Sequence, residues 1–216
     1  MPNQIKPVII AVDGTAASGK GTLARRIASE LGYLYLDTGL LYRSIGLSLI
    51  KNGLSPNDER AALREAENLQ LQNLNENDSK LRSEEVGRAA GILAAKSSVR
   101  AALVPVQRNF ALNPLAKNTG VVMDGRDIGT VIWPEADFKF FIDAEISVRA
   151  ARRAKELHER GDNSIPERVL LDIIERDARD RARATSPLIP AVDASVIDTT
   201  NLSADAVFDL VMSLIR

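Results

Sequence analysis

A strand, a loop of small residues and a helix follow one another near the start of this sequence, and they constrain its fold more than any other feature. Residues 8–12 (VIIAV) form a continuous apolar run, which predicts a strand buried on both faces, as in a parallel sheet. A small-residue loop follows, and Leu23, Ile27 and Leu31 then recur every four residues, which predicts an amphipathic helix. The chain therefore opens with the first part of a βαβ unit.

Further short apolar runs, separated by helical patterns, extend this arrangement along the chain. They predict strands at residues 33–36, 121–123, 138–142 and 195–197, and helices at 40–52, 59–72, 83–93, 99–112, 146–160, 166–183 and from 203 onward. Pro105 is expected to kink or divide its helix, because proline removes a backbone donor. The alternation predicts an α/β fold with a five-stranded, mostly parallel sheet and helices on both faces. In such sheets ligands bind beyond the carboxyl ends of the strands.

Composition and charge exclude several classes of function. The 216 residues carry a net charge of −1, so no general basic surface favours nucleic acid or an anionic membrane. The sequence has no cysteine and a single histidine, His158, which excludes disulfides and argues against thiolate or histidine-based zinc sites. No apolar run is long enough for a signal sequence or a bilayer span. We therefore expect a cytoplasmic protein that binds neither nucleic acid nor membranes.

The loop after the first strand has the composition of a phosphate-binding site. Its residues are Gly14, Thr15, Ala16, Ala17, Ser18, Gly19, Lys20, Gly21 and Thr22. Its glycines let several backbone N–H groups turn toward one phosphate, and the positive end of the following helix adds to them. Lys20 can reach the β- and γ-phosphates of a nucleotide, and Thr22 places a hydroxyl near the metal. A turn that merely joins strand to helix is the alternative, but the context favours ATP binding.

Three further segments place charged residues beyond strand ends or on one helix. Residues 37–43 (DTGLLYR) follow the second strand, residues 124–130 (DGRDIGT) follow the third, and residues 176–183 (RDARDRAR) lie on one helix. Guanidinium groups hold phosphate oxygens through paired hydrogen bonds, so Arg43 and Arg126 beside a phosphate loop favour a second phosphate site. Arg176, Asp180 and Arg183 share one helix face. Exposed or ion-paired arginines without a ligand are the alternative interpretation.

Together with the loop ending Gly-Lys-Gly-Thr, these segments resemble those of bacterial cytidylate kinases over nearly the whole chain. The resemblance implies a P-loop NTPase fold and transfer of the γ-phosphoryl group of ATP to CMP or dCMP, with Mg²⁺ as cofactor. It implies a monomer with a single kinase domain over residues 1–216. This domain would contain an NMP-binding helical region at about 38–115 and a lid at about 152–168. Kinases for UMP, AMP or shikimate, and a P-loop ATP-binding switch, are the alternatives.

The same resemblance implies roles for individual side chains. Asp127 and Arg100 would face the base, Asp180 the ribose hydroxyls, and the acceptor phosphate would meet Arg43, Arg126 and Arg183. Thr38 and Tyr42 would complete the CMP site. The predicted catalytic residues are Lys20, Arg126 and Arg183, and no direct protein ligand of Mg²⁺ is expected beyond Thr22. Arginines on the two helices that flank the lid would close over the phosphates, and they are Arg149, Arg152, Arg153, Arg176 and Arg179.

Three features depart from the family's pattern. The stretch before Glu84 is too short for the small β-rich insertion that many members carry, so the chain is a short form. Gly91 stands where members often have a serine that contacts the base amine, and the loss of this contact bears on how strictly cytosine is chosen over uracil. Thr38 stands where some members have serine, and it keeps the hydroxyl.

Overall fold

The structure is a computed structural model that describes residues 6–74, 78–113, 120–159, 161 and 164–215. Within these ranges the chain forms five strands, which are β1 (Val8–Gly14), β2 (Leu34–Asp37), β3 (Gly120–Gly125), β4 (Phe138–Asp143) and β5 (Ser195–Asp198). They form one sheet in the order β2-β3-β1-β4-β5, and every neighbouring pair is parallel. The predicted α/β fold is confirmed, and the sheet is parallel throughout.

The same ranges contain eight α-helices, which are α1 (Lys20–Leu31), α2 (Thr38–Lys51), α3 (Glu59–Glu67), α4 (Glu84–Leu93), α5 (Ser97–Ala111), α6 (Ile146–Glu159), α7 (Pro166–Arg181) and α8 (Ala204–Ile215). Two of them begin at serines that cap the first turn, as predicted. The Ser83 hydroxyl accepts a hydrogen bond from the Val86 N–H at 3.3 Å, and the Ser203 hydroxyl accepts one from the Ala206 N–H at 3.1 Å.

The two faces of the central strand β1 pack against different helices. Ile10 and Val12 lie in a buried cluster with side chains of α1 and α8, whereas Ile9 and Ala11 lie in another with side chains of α5. Successive side chains of a strand point to opposite faces, so helices cover both sides of the sheet. A third apolar cluster joins α2, α3, α4 and α5. Because α2 begins directly after β2, this helical cluster adjoins the carboxyl edge of the sheet.

The helix predicted at residues 59–72 is shorter than expected. α3 ends at Glu67, Gln70 is extended, and a separate 3-10 turn follows at Leu71–Asn73. Leu69 and Leu71 both pack against the helical cluster, although a continuous helix would place them on nearly opposite faces. Burial of both leucines therefore replaces continuation of the helix, a case of tertiary packing overriding local propensity.

Pro105 does not divide its helix, and that part of the prediction is wrong. α5 runs without interruption through Pro105 from Ser97 to Ala111. A proline frees the carbonyl four residues earlier, which here belongs to Ala101, an exposed residue. Water can therefore satisfy this carbonyl, and the helix continues.

A π-helical turn at Ile128–Ile132 was not predicted. The Asp127 carbonyl accepts hydrogen bonds from the Val131 N–H at 2.9 Å and from the Ile132 N–H at 3.2 Å. The sequence of the turn, IGTVI, is rich in β-branched residues and gives no helical signal. The turn re-aims the chain directly after the segment DGRD, so it determines where those charged side chains stand.

Parts of the predicted subdomains lie outside the described residues. They are residues 75–77 and 114–115 of the NMP-binding region predicted at 38–115, and residues 160, 162 and 163 of the lid predicted at 152–168. Among the residues that are described, no single helix is long and apolar enough to cross a membrane, and α4 and α5, which meet at 98°, meet that criterion only when taken together as a bent pair.

Candidate active site

A cavity of about 720 Å³ lies where the carboxyl ends of β1, β2 and β3 meet the helical cluster and α7. The phosphate loop and all three charged segments contribute to its walls. The predicted site residues that line it are Ala16, Ala17, Gly19, Lys20, Gly21, Thr22, Thr38, Tyr42, Arg43, Arg100, Arg126, Asp127, Arg152, Arg153, Arg176, Asp180 and Arg183. The remaining predicted residues stand behind this wall or at its edge: Gly14, Thr15, Ser18, Arg149 and Arg179.

Buried hydrogen bonds hold the phosphate loop against β4. A side chain at Gly14 is excluded, because a Cβ there would lie 2.1 Å from the Ile142 carbonyl oxygen. The Thr15 hydroxyl donates to the Asp143 carboxylate at 2.7 Å, and the Ser18 hydroxyl donates to the Thr15 carbonyl at 3.0 Å. Thr15 and Ser18 therefore shape the loop from behind.

Arg149 joins the phosphate loop to α7 and is itself 3% exposed. Its Nη1 donates to the Ala16 carbonyl at 3.1 Å, and its Nε donates to the Ala144 carbonyl at 2.8 Å. Its Nη2 lies 2.7 Å from the Asp177 carboxylate on α7. The structure thus places this predicted lid arginine beneath the loop, where it connects three segments.

Lys20 and Asp124 share a buried part of the cavity. Burial lowers the pKa of Lys20, Arg126 lowers it further, and Asp124 opposes the shift. Burial also raises the pKa of Asp124, with repulsion from Asp37 adding to it and Lys20 opposing it. Each ion therefore favours the charged form of the other against the cost of burial.

Asp180 gathers two of the predicted phosphate arginines. Arg126 Nε donates to the Asp180 Oδ2 at 3.0 Å, and Arg183 Nη2 donates to its Oδ1. Burial acts to raise the pKa of Asp180, but Arg126 and Arg183 outweigh it and hold this pKa below its usual value. The Arg183 Nε is buried without a hydrogen-bond partner among the described residues. This cluster therefore holds an unused donor beside the cavity.

Two more arginines line the cavity with strong desolvation. Burial lowers the pKa of Arg43 to about 10, and the Arg43 Nη1 donates to the Leu81 carbonyl at 2.8 Å. Burial and repulsion from Arg126 lower the pKa of Arg176 to about 9. These arginines lie close together with too few carboxylates to balance them, and their mutual repulsion disfavours the charged form of each. The cavity is therefore suited to a polyanion.

A buried ion pair forms the far wall of the cavity. Arg100 Nη2 donates to the Asp127 Oδ2, and the Arg100 guanidinium lies 5.8 Å from the centre of the Tyr42 ring. Burial raises the pKa of Tyr42 to about 12. Nearby, the Thr38 hydroxyl donates to the Asp124 carbonyl at 2.8 Å. The pair offers one acceptor and one set of donors to a flat polar ligand.

The remaining lid arginines approach the cavity from α6 and α7. Arg153 Nη1 lies 2.9 Å from the Glu156 carboxylate, and Arg152 Nη2 donates to the Thr199 carbonyl at 2.7 Å. Arg179 reaches over α4, since its Nη1 lies 2.7 Å from where a Cβ at Gly91 would stand. These side chains therefore come from both helices that border the predicted lid.

Comparison with known proteins decides the family of the chain. The sequence pattern of the family described as cytidylate kinase matches residues 10–216. A protein from Paramagnetospirillum magneticum named cytidylate kinase is 51% identical over 207 residues, which cover 96% of this chain and 97% of that protein. The chain belongs to the cytidylate kinase family. A Rhodospirillum rubrum protein of the same name is 49% identical over 198 residues, which cover 92% of each chain.

Membership of the cytidylate kinase family makes the chain a kinase and confirms the resemblance stated from its motifs. A solved structure of an uncharacterized protein from Eubacterium ventriosum shares the fold, with a TM-score of 0.56 at 13% identity, covering 96% of this chain and 98% of that one. This likeness concerns the fold alone.

This member of the cytidylate kinase family places a few oxygen ligands where a metal could lie. Thr22, Asp37 and Asp124 all line the cavity that contains Lys20. Hydroxyl and carboxylate oxygens are the ligands that Mg²⁺ prefers. In the described ranges no group of three or more histidine or acidic residues forms a complete protein metal site.

The fold of this chain also brings residues to the cavity that the sequence analysis did not predict. Tyr35, Asp37, Arg82 and Glu156 line it. The position of Asp37 at a strand end was a usable signal. Tyr35 lies within β2, and Arg82 lies in a short 3-10 turn at Ser79–Arg82, so neither carried a motif. Their place depends on contacts between segments that are distant in the chain.

Proposed function

We propose that this chain transfers the γ-phosphoryl group of ATP to CMP or dCMP, which gives ADP and CDP or dCDP. The observation that carries the proposal is a single cavity that joins a phosphate loop to a second cluster of cations and to the buried Arg100–Asp127 pair. A P-loop switch needs no second phosphate clamp, so the second cluster argues against it. The name shared by the related proteins supports the same acceptor.

The donor side is the loop from Gly14 to Thr22. Its backbone N–H groups and the start of α1 would hold the β-phosphate, and Lys20 would reach the β- and γ-phosphates. The Lys20 ammonium gains most when phosphate charge arrives, because burial and Arg126 disfavour its charged form. We assign ATP binding to the whole loop.

The acceptor side is the arginine cluster around Asp180. Arg43, Arg126 and Arg183 would bind the monophosphate of CMP, and Asp180 would accept a hydrogen bond from the ribose. The unpartnered Arg183 Nε supports this assignment, because a buried donor without a partner costs free energy until a ligand supplies one. Thr38 and Tyr42 would complete the site.

The Arg100–Asp127 pair is the proposed reader of the base. Cytosine offers an amine donor at N4 and acceptors at N3 and O2, so a carboxylate and a guanidinium complement it. Uracil places an acceptor, O4, where cytosine has the amine. A buried Asp127 facing that oxygen would lose a hydrogen bond, at a cost of roughly 1–3 kcal/mol. Gly91 offers no side chain to strengthen this choice.

Mg²⁺ is the proposed cofactor. Thr22, Asp37 and Asp124 fit a metal that is held partly by the phosphates of ATP and by water, rather than by a cage of protein ligands. When bound, the metal neutralises charge on the β- and γ-phosphate oxygens. The contribution of the chain is to place these oxygens in one desolvated site.

Phosphoryl transfer in this cavity requires positioning and charge stabilisation more than covalent chemistry. The acceptor is a phosphate oxygen that is already ionised at neutral pH, so no general base is needed. Lys20, Arg126 and Arg183 are the proposed catalytic residues, because they would contact the phosphates that react. Arg153, Arg176 and Arg179 would approach from the lid, while Arg149 would hold the loop and α7 together.

The proposal extends to the organisation of the chain. Residues 1–216 would act as one kinase domain, with an NMP-binding region at about 38–115 and a lid at about 152–168 that closes over the phosphates and excludes water. We further propose that the protein is a cytoplasmic monomer that engages small-molecule substrates, without nucleic acid or membrane.

An acceptor panel tests the proposed function. ADP formation from ATP and Mg²⁺ is measured with CMP, dCMP, UMP, AMP, GMP and no acceptor. Strong turnover with CMP and dCMP, and little with the others, is expected. Comparable rates with CMP and UMP would agree with a kinase activity and would point to Gly91 as the cause of relaxed base selection. ATP hydrolysis that no acceptor changes would contradict the proposal and favour the switch.

A further inference from the structure

One buried carboxylate beside the cavity takes no part in the proposed chemistry. Asp13 immediately precedes Gly14 in β1 and is 5% exposed. Its Oδ1 accepts a hydrogen bond from the Ile128 N–H at 2.8 Å, and its Oδ2 accepts one from the Gly129 N–H at 2.8 Å. Both oxygens are therefore committed to the segment that follows β3.

These two bonds fix the backbone directly after Asp127. The Ile128 N–H belongs to the peptide group that joins Ile128 to Asp127. The oxygen of the same peptide group accepts the hydrogen bonds from Val131 and Ile132 that form the π-helical turn. Both ends of this peptide group are thus hydrogen-bonded, and one end depends on Asp13.

A carboxylate at this position is unfavourable for folding near neutral pH. Burial raises the pKa of Asp13 to about 6, repulsion from Asp127 adds to it, and the two N–H groups and Arg126 only partly offset it. A raised pKa in the folded state means that the ionised form is less stable there than in the unfolded chain. Ionisation of Asp13 near neutral pH therefore costs stability, which its hydrogen bonds to the Ile128 and Gly129 amides only partly offset.

We infer that Asp13 is a positioning residue for the acceptor. Through the amides of Ile128 and Gly129 it holds Asp127 and Arg126 where they meet the base and the phosphate of the monophosphate. The inference rests on the proposed function of the cavity. Asp13 adjoins the phosphate loop in sequence, yet its two hydrogen bonds lead to the segment after β3, on the acceptor side of the cavity.

Asp13→Asn tests the inference with almost no change in side-chain volume. Asparagine has one acceptor oxygen, and its amide group would face one of the two N–H donors, so one hydrogen bond becomes a repulsive contact. In steady-state kinetics at pH 8, KM for CMP should rise about tenfold while KM for ATP stays within about twofold. The ratio of kcat/KM for CMP over UMP should fall as well.

Asp137→Asn is the matched control. The Asp137 Oδ2 accepts a hydrogen bond of 2.8 Å from the Ile9 N–H, near the opposite end of the same strand. This variant should leave both KM values unchanged. A purely structural role for Asp13 predicts a smaller active fraction, and so a lower kcat with both KM values intact. An Asp13→Asn enzyme with an unaltered KM for CMP would overturn the inference.

Amide hydrogen exchange of the wild-type chain supplies a second measurement, which needs no variant to fold. The Ile128 and Gly129 amides should exchange slowly, and CMP should slow them further while ATP alone should not. Rapid exchange of these amides, or no response to CMP, contradicts the inference. Failure of the proposed function is seen separately, because the wild-type enzyme would then phosphorylate neither CMP nor dCMP.

Discussion

The charge of Lys20 is disfavoured by its own surroundings. Burial and Arg126 act against the ammonium, while Asp124 and Asp37 act for it. Phosphate oxygens would add negative charge beside this ammonium. A cation that is already in place and desolvated stabilises a transferring phosphoryl group far more than a solvated one.

Removal of this cation should therefore affect the reaction and not the fold. Lys20→Ala is expected to lower kcat about a thousandfold. Its melting temperature should stay close to that of the wild type, because burial already disfavours the Lys20 ammonium, and Asp124, whose pKa burial raises to about 7, can take up a proton when Lys20 is removed. Lys51→Ala is the control, since the Lys51 side chain is 55% exposed at the end of α2. Near-normal turnover by Lys20→Ala would contradict the role assigned to the phosphate loop.

The pH dependence of stability should report on Asp13. The charged groups that face it are Arg126 and Asp127, and Lys139 of β4 packs beside Gly129. The folded-state pKa of about 6 exceeds the ordinary value of 3.8, so the folded chain binds the proton more tightly between these values. The contribution of Asp13 to the free energy of unfolding must then fall as pH rises from about 4 to about 6.

Urea denaturation of the wild type and of Asp13→Asn at several pH values measures this contribution. The difference in the free energy of unfolding between them should shift against the wild type as pH rises through the window, and it should be constant above about pH 7. A difference that does not vary with pH would show that Asp13 titrates normally in the folded chain.

At the scale of elements, α4 turns a bare backbone face toward the cavity. Gly87 and Gly91 are four residues apart and share one side of the helix. The Arg43 guanidinium nitrogens lie 3.4 Å from where a Cβ at Gly87 would stand, and the Arg179 Nη1 lies 2.7 Å from the equivalent point at Gly91. Two arginines, one from α2 and one from α7, thus lie across the same helix.

Two glycine-to-alanine substitutions should have opposite effects on stability. Gly91→Ala meets only the end of Arg179, an exposed side chain that can move aside, so better helix propensity should raise stability by up to about 1 kcal/mol. Gly46→Ala meets the Ala89 Cβ at 3.0 Å between α2 and α4, where neither helix can easily yield, and should lower stability. Thermal unfolding of both variants checks this, and equal shifts would contradict it.

The helices also show which features the sequence could predict. Strand runs, capping serines and the phosphate loop have local signals, and the structure places them as expected. The early end of α3 and the π-helical turn arise from packing between distant segments, and they left no local pattern. The predicted lid role of Arg149 came from its place on a basic helix. Its contacts with Ala16 and Asp177 depend on how α6 packs against the loop and α7.

At the scale of the whole molecule, the net charge is close to zero although the central cavity is strongly cationic. The chain carries a net charge of −1, yet one cavity gathers Lys20 and arginines from several segments. The sequence identified these segments through motifs and through a family resemblance. Their convergence follows from the strand order, which places β1 between β3 and β4 and brings their carboxyl ends together.

Inorganic phosphate should stabilise the whole fold by relieving the repulsion among the cations that line the cavity. At about ten times its dissociation constant, phosphate should add roughly 1.4 kcal/mol, or about 3–5 °C in melting temperature, relative to chloride at equal ionic strength. Arg183→Gln should reduce this shift, whereas Arg168→Gln, at an exposed position of α7, should not. An equal shift with chloride would show that general screening, and not the cavity, is responsible.

The central position of β1 has a consequence for how the chain is made. Val8 pairs with Gly120 on one side, and Ile10 pairs with Phe138 on the other. Ribosomes add about 5–20 residues per second, so β1 waits on the order of ten seconds before either neighbour exists. During that time its apolar edges are open to other strands. The strand that precedes the phosphate loop is thus the first of the five strands to be made, yet both of its edges stay unpaired until the chain has passed the middle of its length.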